Sequence, residues 1–200
     1  MSAQPQFIFF RKEWMASLQE LHKQWGGQFD SGGDIVTNMG GVGSVISKYA
    51  TLSANIREHK VYLDAIMSDS AAYAKIYIYG KWNTQLILTL EDIHDRFLKL
   101  LGLEYEITMP SNEANIVLFN KKYLIKGEPK EFVSDFFSDY KNQEVIGNLG
   151  DFWILDIKDN LTKLTYEFTS AEEIKSELLS ERINYLIDLL QALEQKESTR

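Results

Sequence analysis

Apolar side chains recur at helical spacing in three long segments of the chain. In the first segment, residues 11–25, the large apolar residues lie four, three and four positions apart, which predicts a helix with one apolar side. These residues are Trp14, Leu18, Leu21 and Trp25. Residues 44–66, which begin at the potential N-cap Ser44, and residues 171–195 show the same alternation. The pattern therefore predicts a long helix in each of the three segments.

A glycine-rich stretch separates the first two predicted helices. Seven of the twelve glycines lie between Gly26 and Gly43, and so many unrestricted backbone positions disfavour regular structure. Residues 26–43 are therefore predicted to form a loop of 18 residues. With the helices on either side, this loop predicts a helical N-terminal region over residues 1–70.

After residue 70 the apolar positions alternate every second residue, as they do in strands with one buried face. Residues 74–79 and 86–90 alternate in this way around a short turn at residues 80–83. This arrangement predicts a β-hairpin. A helix is predicted to follow it over residues 90–101, where the period returns to that of a helix.

The same order of two strands and a helix is predicted twice more. The strands are residues 115–120 and 123–126 in the second occurrence and residues 152–157 and 161–169 in the third. Pro129 opens the helix of the second occurrence, and Ser170 with Glu173 forms a capping box before the C-terminal helix. Lone strands are predicted near residues 105–108 and 145–149. Duplication of a sequence segment is one explanation of the recurrence. The other is that each hairpin needs a helix to cover its apolar face.

These elements predict an α+β protein. Each pair of successive strands can be joined by a short turn, which favours an antiparallel sheet over a doubly wound parallel one. The predicted architecture is an antiparallel sheet built from successive β-hairpin-plus-helix units and packed with long N-terminal and C-terminal helices. The sheet and its covering helices occupy residues 71–200, and they are predicted to form one compact domain with residues 1–70.

The net charge of the chain and its distribution limit the classes of molecule that the protein is expected to bind. The chain has 200 residues, no cysteine and a net charge of −8. Residues 1–130 hold fourteen basic and fourteen acidic side chains, whereas residues 131–200 hold seven basic and fifteen acidic ones. An acidic surface repels nucleic acid and anionic lipid and attracts basic proteins, although solubility alone also explains it. We therefore expect a protein partner of basic character, and neither nucleic acid nor membrane.

The N-terminal apolar run is too short for the core of a signal peptide. It comprises Phe7, Ile8, Phe9 and Phe10, and it precedes the basic residues instead of following them. No stretch approaches the roughly 20 apolar residues that span a bilayer. The sequence thus predicts a cytoplasmic location. The wide apolar stripe of residues 171–195 is interpreted as core or as the seam of a homodimer.

Three groups of residues are candidates for ligand binding or catalysis. A purely structural role also explains each of the three groups. Residues 40–44 lead into a predicted helix, a geometry that binds phosphate, but they match neither the Walker A loop nor the dinucleotide fingerprint. Glu91, His94 and Asp95 share a predicted helix face that suits a divalent metal, and acids there also stabilise the helix dipole. His59 is interpreted as a proton-transfer residue or a hydrogen-bonded core residue. No catalytic residue, metal ligand or cofactor is assigned.

The aromatic residues around the first predicted hairpin are candidates for partner binding. Trp82 lies in the turn, where an indole is normally exposed, and Tyr77 and Tyr79 share one face of the preceding strand. Tryptophan and tyrosine are common among the residues that dominate binding energies. The alternative is that the turn folds back onto its own domain.

An acidic row is the second candidate for partner binding. Glu131, Asp135 and Asp139 are spaced by four along a predicted helix whose apolar residues face inward. This row is interpreted as a docking face for a basic partner or as a solvated face that confers solubility. The residues predicted to face inward are Phe132, Val133, Phe136, Phe137 and Tyr140.

The sequence therefore predicts a non-catalytic acidic protein-binding module of the inhibitor, immunity or chaperone-like kind. One alternative is an enzyme with a site between the glycine-rich loop and the sheet, in which His59, His94 or Glu91 acts as acid or base. Another is a carrier of an apolar small ligand that is enclosed between the C-terminal helix and a curved sheet.

Overall fold

The computed structural model describes residues 7–38, 44–67, 72–90, 107, 114–168 and 170–199. The chain divides into two compact units. Unit 1 comprises Met1–Ile78 and Thr165–Glu181, and unit 2 comprises Tyr79–Leu164 and Arg182–Arg200.

The first six elements run from residue 7 to residue 79. They are α1 (Phe7–Trp25), β1 (Gln28–Asp30), β2 (Asp34–Asn38), β3 (Ser44–Ile56), β4 (His59–Met67) and β5 (Ala72–Tyr79). The later elements are β6 (Gln85–Leu90), α2 (Ala114–Lys122), β7 (Tyr123–Glu128), α3 (Lys130–Ser138), α4 (Tyr140–Asn148), β8 (Ile154–Lys158), β9 (Leu161–Phe168), a 3₁₀ turn (Ala171–Ile174) and α5 (Ser176–Ser198).

In each unit, neighbouring strands are hydrogen-bonded in the order given below. In unit 1 the order is β1-β3-β4-β5-β9, and β2 also pairs with β3. In unit 2 the order is β9-β8-β6-β7. The pairs that involve β3, β4 and β6 are antiparallel, so the predicted α+β class with an antiparallel sheet is confirmed.

The helix predicted over residues 44–66 is wrong, because these residues form the hairpin of β3 and β4. Arg57 and Glu58 both have positive φ, 49° and 72°, which is the backbone of a tight two-residue hairpin turn. The register places Ile56 opposite His59. Every second residue is buried from Ala50 to Ala54 in β3 and from Val61 to Met67 in β4, but several buried residues are alanines. Because these alanines hide the two-residue period, the larger side chains imitate the spacing of a helix.

The predicted loop over residues 26–43 is also wrong in part. Residues 28–30 and 34–38 form β1 and β2, which both pair with β3. The glycines permit this close pairing. At Gly27 and Gly32, both at positive φ, a Cβ would overlap with the carbonyl oxygens of Ser53 and Tyr49.

Of the three predicted hairpin-plus-helix units, only the last has both of its strands paired with each other. Strands β5 and β6 exist, but β5 pairs with β4 and β9, whereas β6 pairs with β7 and β8. Residues 114–122, with a predicted strand at 115–120, form helix α2, while the strand predicted at residue 123 is β7. The predicted helix over 90–101 lies outside the described residues.

The third unit follows the prediction closely. Strands β8 and β9 are neighbours, and Asp159 and Asn160 turn between them with φ of 52° and 64°. Ser170 and Glu173 form the predicted capping box, although it opens the 3₁₀ turn and α5 begins only at Ser176.

One predicted lone strand is wrong, and the other lies largely outside the described residues. Residues 145–149 lie largely in helix α4, so a strand there is wrong. Of residues 105–108 the structure describes only Ile107, which is outside a strand but donates its N–H to the carbonyl oxygen of Ile125 at 2.9 Å.

Each unit has an apolar core beneath its strands. In unit 1, α1 buries Trp14, Leu18 and Leu21 completely, and the Trp14 ring meets Phe168 edge-on at 5.6 Å between centroids. This confirms the apolar side predicted for the first helix. In unit 2, α3 buries Phe132, Val133, Phe136 and Phe137 as predicted. Tyr140 is 57% exposed, so its predicted inward position is wrong.

The apolar stripe of α5 is buried within a single chain. Leu179, Ile183, Leu186, Leu190 and Leu193 are all at most 1% exposed. The stripe therefore belongs to the core. Among the described residues, no helix combines the length and hydropathy needed to cross a bilayer.

Candidate binding surface

One face of the unit 1 sheet carries a set of tyrosines. Over residues 50–54, 61–67 and 72–79 of β3, β4 and β5, buried residues alternate with half-buried or exposed ones, and α1 lies against β3. The half-buried residues include Tyr49, Tyr62, Ile66, Tyr73 and Tyr77, which we call the tyrosine face. The face opposite the helix-covered core is thus rich in aromatic rings.

The register brings these side chains together across neighbouring strands. Tyr62 on β4 lies directly opposite Tyr77 on β5. Ile66 on β4 lies opposite Tyr49 on β3 and Tyr73 on β5. Residues opposite each other in an antiparallel pair have Cβ atoms about 4.5–5.5 Å apart, so these side chains are neighbours across the strands.

The hydroxyl groups of two of these tyrosines form hydrogen bonds with carboxylates. The Tyr73 hydroxyl donates to Glu167 Oε1 at 3.2 Å, and Tyr49 has a side-chain hydrogen bond with Asp64. Burial first, and then the nearby carboxylate, raises the pKa of each tyrosine above its usual value. Both hydroxyls therefore remain protonated at neutral pH, and their rings have restricted orientations.

The charged side chains on this face also adjoin the rings. The Lys60 ammonium lies 4.9 Å from the centroid of the Tyr62 ring, a cation–π distance. Asp64 and Lys75 lie opposite each other in the register, between the two tyrosine-containing rows. The tyrosine face therefore combines apolar ring surface with polar groups of both signs.

Trp82, the anchor predicted from the sequence, is buried. Its side chain is only 5% exposed in unit 2, so the prediction of an exposed indole is wrong and the turn folds onto its own unit. The indole packs against Gly80, where a Cβ would overlap with the ring. Tyr77 is half-buried and Tyr79 is 57% exposed, and both lie on the less buried face of β5.

The carboxylate of Glu197, near the end of α5, fixes the segment that follows Trp82. It accepts hydrogen bonds from the backbone N–H of Asn83 at 3.1 Å and of Thr84 at 2.8 Å, and from the Thr84 hydroxyl. Hydrogen bonds to a charged group contribute more than neutral ones. Glu197 therefore connects the last turn of α5 to the residues that immediately precede β6.

We expect Glu197→Ala to lower the free energy of unfolding by about 1–3 kcal/mol, because the part-buried N–H and hydroxyl of Thr84 and the exposed N–H of Asn83 lose their acceptor. Chemical denaturation followed by circular dichroism measures this change. Glu194→Ala is the matched control, since Glu194 lies three residues earlier on the same helix. Equal destabilisation by the two variants would show that the hydrogen bonds to Asn83 and Thr84 do not account for the effect.

The predicted acidic row is solvated. Glu131, Asp135 and Asp139 are all exposed in unit 2. Asp135 forms an ion pair with Lys196 at 2.7 Å, and Asp139 caps α4 by accepting from the Lys141 N–H at 3.0 Å. Two of the three carboxylates therefore already have local structural roles.

The residues considered for catalysis, metal binding or phosphate binding lie only partly within the described residues. His59 is half-buried at the start of β4, so its predicted place in a helical seam is wrong. Ser44 begins strand β3 and not a helix, which removes the helix N-terminus predicted for phosphate binding. Glu91, His94 and Asp95 lie outside the described residues. Within the described residues, no group of three or more histidine, aspartate or glutamate side chains is arranged to hold a metal ion.

The sequence reasoning missed Tyr49, Tyr62 and Tyr73 as members of one surface. For Tyr49 and Tyr62 the signal was present as alternation of polar or aromatic residues with apolar ones over much of residues 47–67. This alternation identifies two paired strands only when the hairpin turn at Arg57 and Glu58 is known, because the turn aligns the two strands.

The fold and the tyrosine face define an α+β protein with an antiparallel sheet that is covered by a helix on one face in unit 1. Among solved structures, the chain is similar to the crystal structure of the mycobacterial trehalose monomycolate transport factor A, TtfA. The TM-score is 0.51 with 15% sequence identity, over 92% of this chain and 96% of that one. At this identity the similarity shows the fold alone. Searches of family models and of curated proteins gave no match.

Proposed function

We propose that this protein is a non-catalytic protein-binding module, of the inhibitor, immunity or chaperone-like kind, that engages its partner through the tyrosine face. The observation that carries the proposal is the cross-strand arrangement of Tyr62 and Tyr77 beside Tyr49, Ile66 and Tyr73. Tyrosine provides a large contact area with few rotatable bonds, which makes it a frequent residue in binding surfaces.

The rings are also partly ordered before any partner binds. The hydrogen bonds of Tyr49 with Asp64 and of Tyr73 with Glu167 limit ring rotation. A surface that is ordered in advance loses less conformational entropy on association. This favours recognition of a folded protein surface by the tyrosine face.

The charge of the chain supports a basic partner. The net charge is −8, and the excess of acidic residues lies in residues 131–200, which include Glu131, Asp135 and Asp139. Such a field accelerates the encounter with a positively charged protein, and added salt screens it. In this proposal the acidic row steers association, while the tyrosines supply most of the affinity.

Site-specific photocrosslinking tests the proposal. A photoreactive phenylalanine analogue placed at Tyr62 is expected to capture one protein in cells of the source organism, and mass spectrometry identifies it. The same analogue at Tyr140, which is 57% exposed in unit 2, is the matched control and should not capture that protein. Capture in extract is expected to decrease as salt is added.

Two results would contradict the proposal. One is equal capture of the same protein from positions 62 and 140, which would indicate nonspecific adhesion. The other is capture from position 140 alone, which would place the interface away from the tyrosine face.

A further inference from the structure

Two carboxylates flank one residue of β3 on the tyrosine face of unit 1. Asp30 on β1 is paired with Thr51 on β3, and Thr51 is paired with Asp64 on β4. Residues paired directly across strands point to the same face of a sheet, so both carboxylates lie beside Thr51. Neighbouring strands are about 4.8 Å apart, which places the Cα atoms of Asp30 and Asp64 about 10 Å apart. We call Asp30, Thr51, Asp64 and the adjacent Tyr49 the Thr51 notch.

Tyr49 forms the third side of the Thr51 notch. It lies two residues before Thr51 on the same face of β3, and its side chain has a hydrogen bond with Asp64. Asp30 Oδ1 accepts a hydrogen bond from the Gly32 N–H at 2.8 Å, and Gly32 lies against the carbonyl oxygen of Tyr49. Burial first, then the charge of Asp64 and, more weakly, that of Asp30 raise the pKa of Tyr49, which agrees with this placement.

The Thr51 notch is accessible and negatively charged. Asp30 is exposed, and Tyr49, Thr51 and Asp64 are half-buried. Because Thr51 is uncharged, no basic side chain separates the two carboxylates in this row of paired residues, whereas Lys75 lies on the far side of Asp64. Two carboxylates beside one space repel each other, and a cation placed between them relieves the repulsion. The notch therefore favours a positively charged group from outside the chain.

We propose that the Thr51 notch binds an arginine side chain of the protein partner. A guanidinium has several N–H donors in a planar fork, so one group can donate to both Asp30 and Asp64 while it lies against the ring of Tyr49. A lysine ammonium is a compact, strongly hydrated charge that is less suited to bridging the two carboxylates. The assignment rests on the proposed function of the tyrosine face, and it names the side chain that this face recognises.

NMR titration of isotope-labelled protein with amino-acid probes tests this site without the partner. The probes are N-acetyl-arginine amide, N-acetyl-lysine amide and N-acetyl-citrulline amide, of which the last has nearly the shape of the arginine probe but no charge. The arginine probe is expected to give saturable shifts at the amides of Thr51 and Asp64. The lysine probe should bind about fivefold more weakly, and the citrulline probe should give no saturable shift.

Substitution of each carboxylate tests its part in the site. Asp64→Asn and Asp30→Asn keep the shape of the side chain, and each should weaken binding of the arginine probe about tenfold. Glu58→Gln is the matched control, because it removes one exposed carboxylate from the hairpin turn of the same unit, and it should bind the probe as the parent protein does. The amide spectrum of each variant shows whether the fold is retained.

Three results would overturn the assignment of an arginine to the Thr51 notch. They are the absence of saturable shifts with the arginine probe, equal affinity for the arginine and lysine probes, and unchanged affinity in both Asp30→Asn and Asp64→Asn. None of them alters photocapture from position 62, so the tyrosine face would still be supported as a binding surface. Failure of that photocapture contradicts the proposed function itself, whatever the probes show.

Discussion

Replacement of both Tyr62 and Tyr77 by alanine is expected to weaken binding of the partner about a hundredfold, which corresponds to about 2.7 kcal/mol. The two rings lie directly opposite each other on adjacent strands, so the double variant removes one continuous apolar area from the tyrosine face. Isothermal titration calorimetry with the photocaptured protein measures the change. Each single variant should show a smaller loss.

Tyr140→Ala is again the control for this prediction, because it removes an exposed tyrosine from unit 2. The melting temperature of the double variant must also be measured, since cross-strand tyrosine pairs contribute to sheet stability. Unchanged affinity in a folded double variant would contradict a role for the tyrosine face in binding.

Gly32→Ala is expected to lower the free energy of unfolding by about 2–4 kcal/mol. Gly32 has a φ of +59°, a conformation that costs L-residues free energy, and its Cβ would overlap with the carbonyl oxygen of Tyr49. The chain must move away from β3 to relieve this overlap. Because Tyr49 belongs to the tyrosine face, the variant should also change the environment of its ring.

Gly33→Ala provides a closely matched control for this substitution. Gly33 is the next residue, and a Cβ there would meet no atom within 4 Å. Its free energy of unfolding should change by less than about 0.5 kcal/mol. Denaturant titrations of the two variants give both values, and equal destabilisation would contradict the role assigned to the positive φ and to the contact with Tyr49.

The fold class was predictable because local patterns were strong at several places. The Asp159–Asn160 turn and the capping box of Ser170 and Glu173 both depend on neighbouring residues, and both are confirmed. Strand partners were less predictable. β5 and β6 are adjacent in sequence but pair with other strands, and no feature of the short segment between them reveals this.

The candidate surface was only partly predictable for a related reason. Tyr77 and Tyr79 were recognised from the alternation within β5 alone. Tyr49 and Tyr62 were assigned to a helix because small buried residues such as Ala54 hid the two-residue period. Trp82 packs against Gly80, and the distant Glu197 fixes the segment that follows Trp82, neither of which the sequence of the turn shows.

The central claim is that the tyrosine face of unit 1 is the surface that contacts a protein partner. The most direct test is to label the tyrosine rings isotopically and follow their NMR signals while the photocaptured protein is added. We predict that the ring signals of Tyr49, Tyr62, Tyr73 and Tyr77 shift together, while those of Tyr140 stay in place. Signals of Tyr140 that shift while these four remain unchanged would contradict the claim.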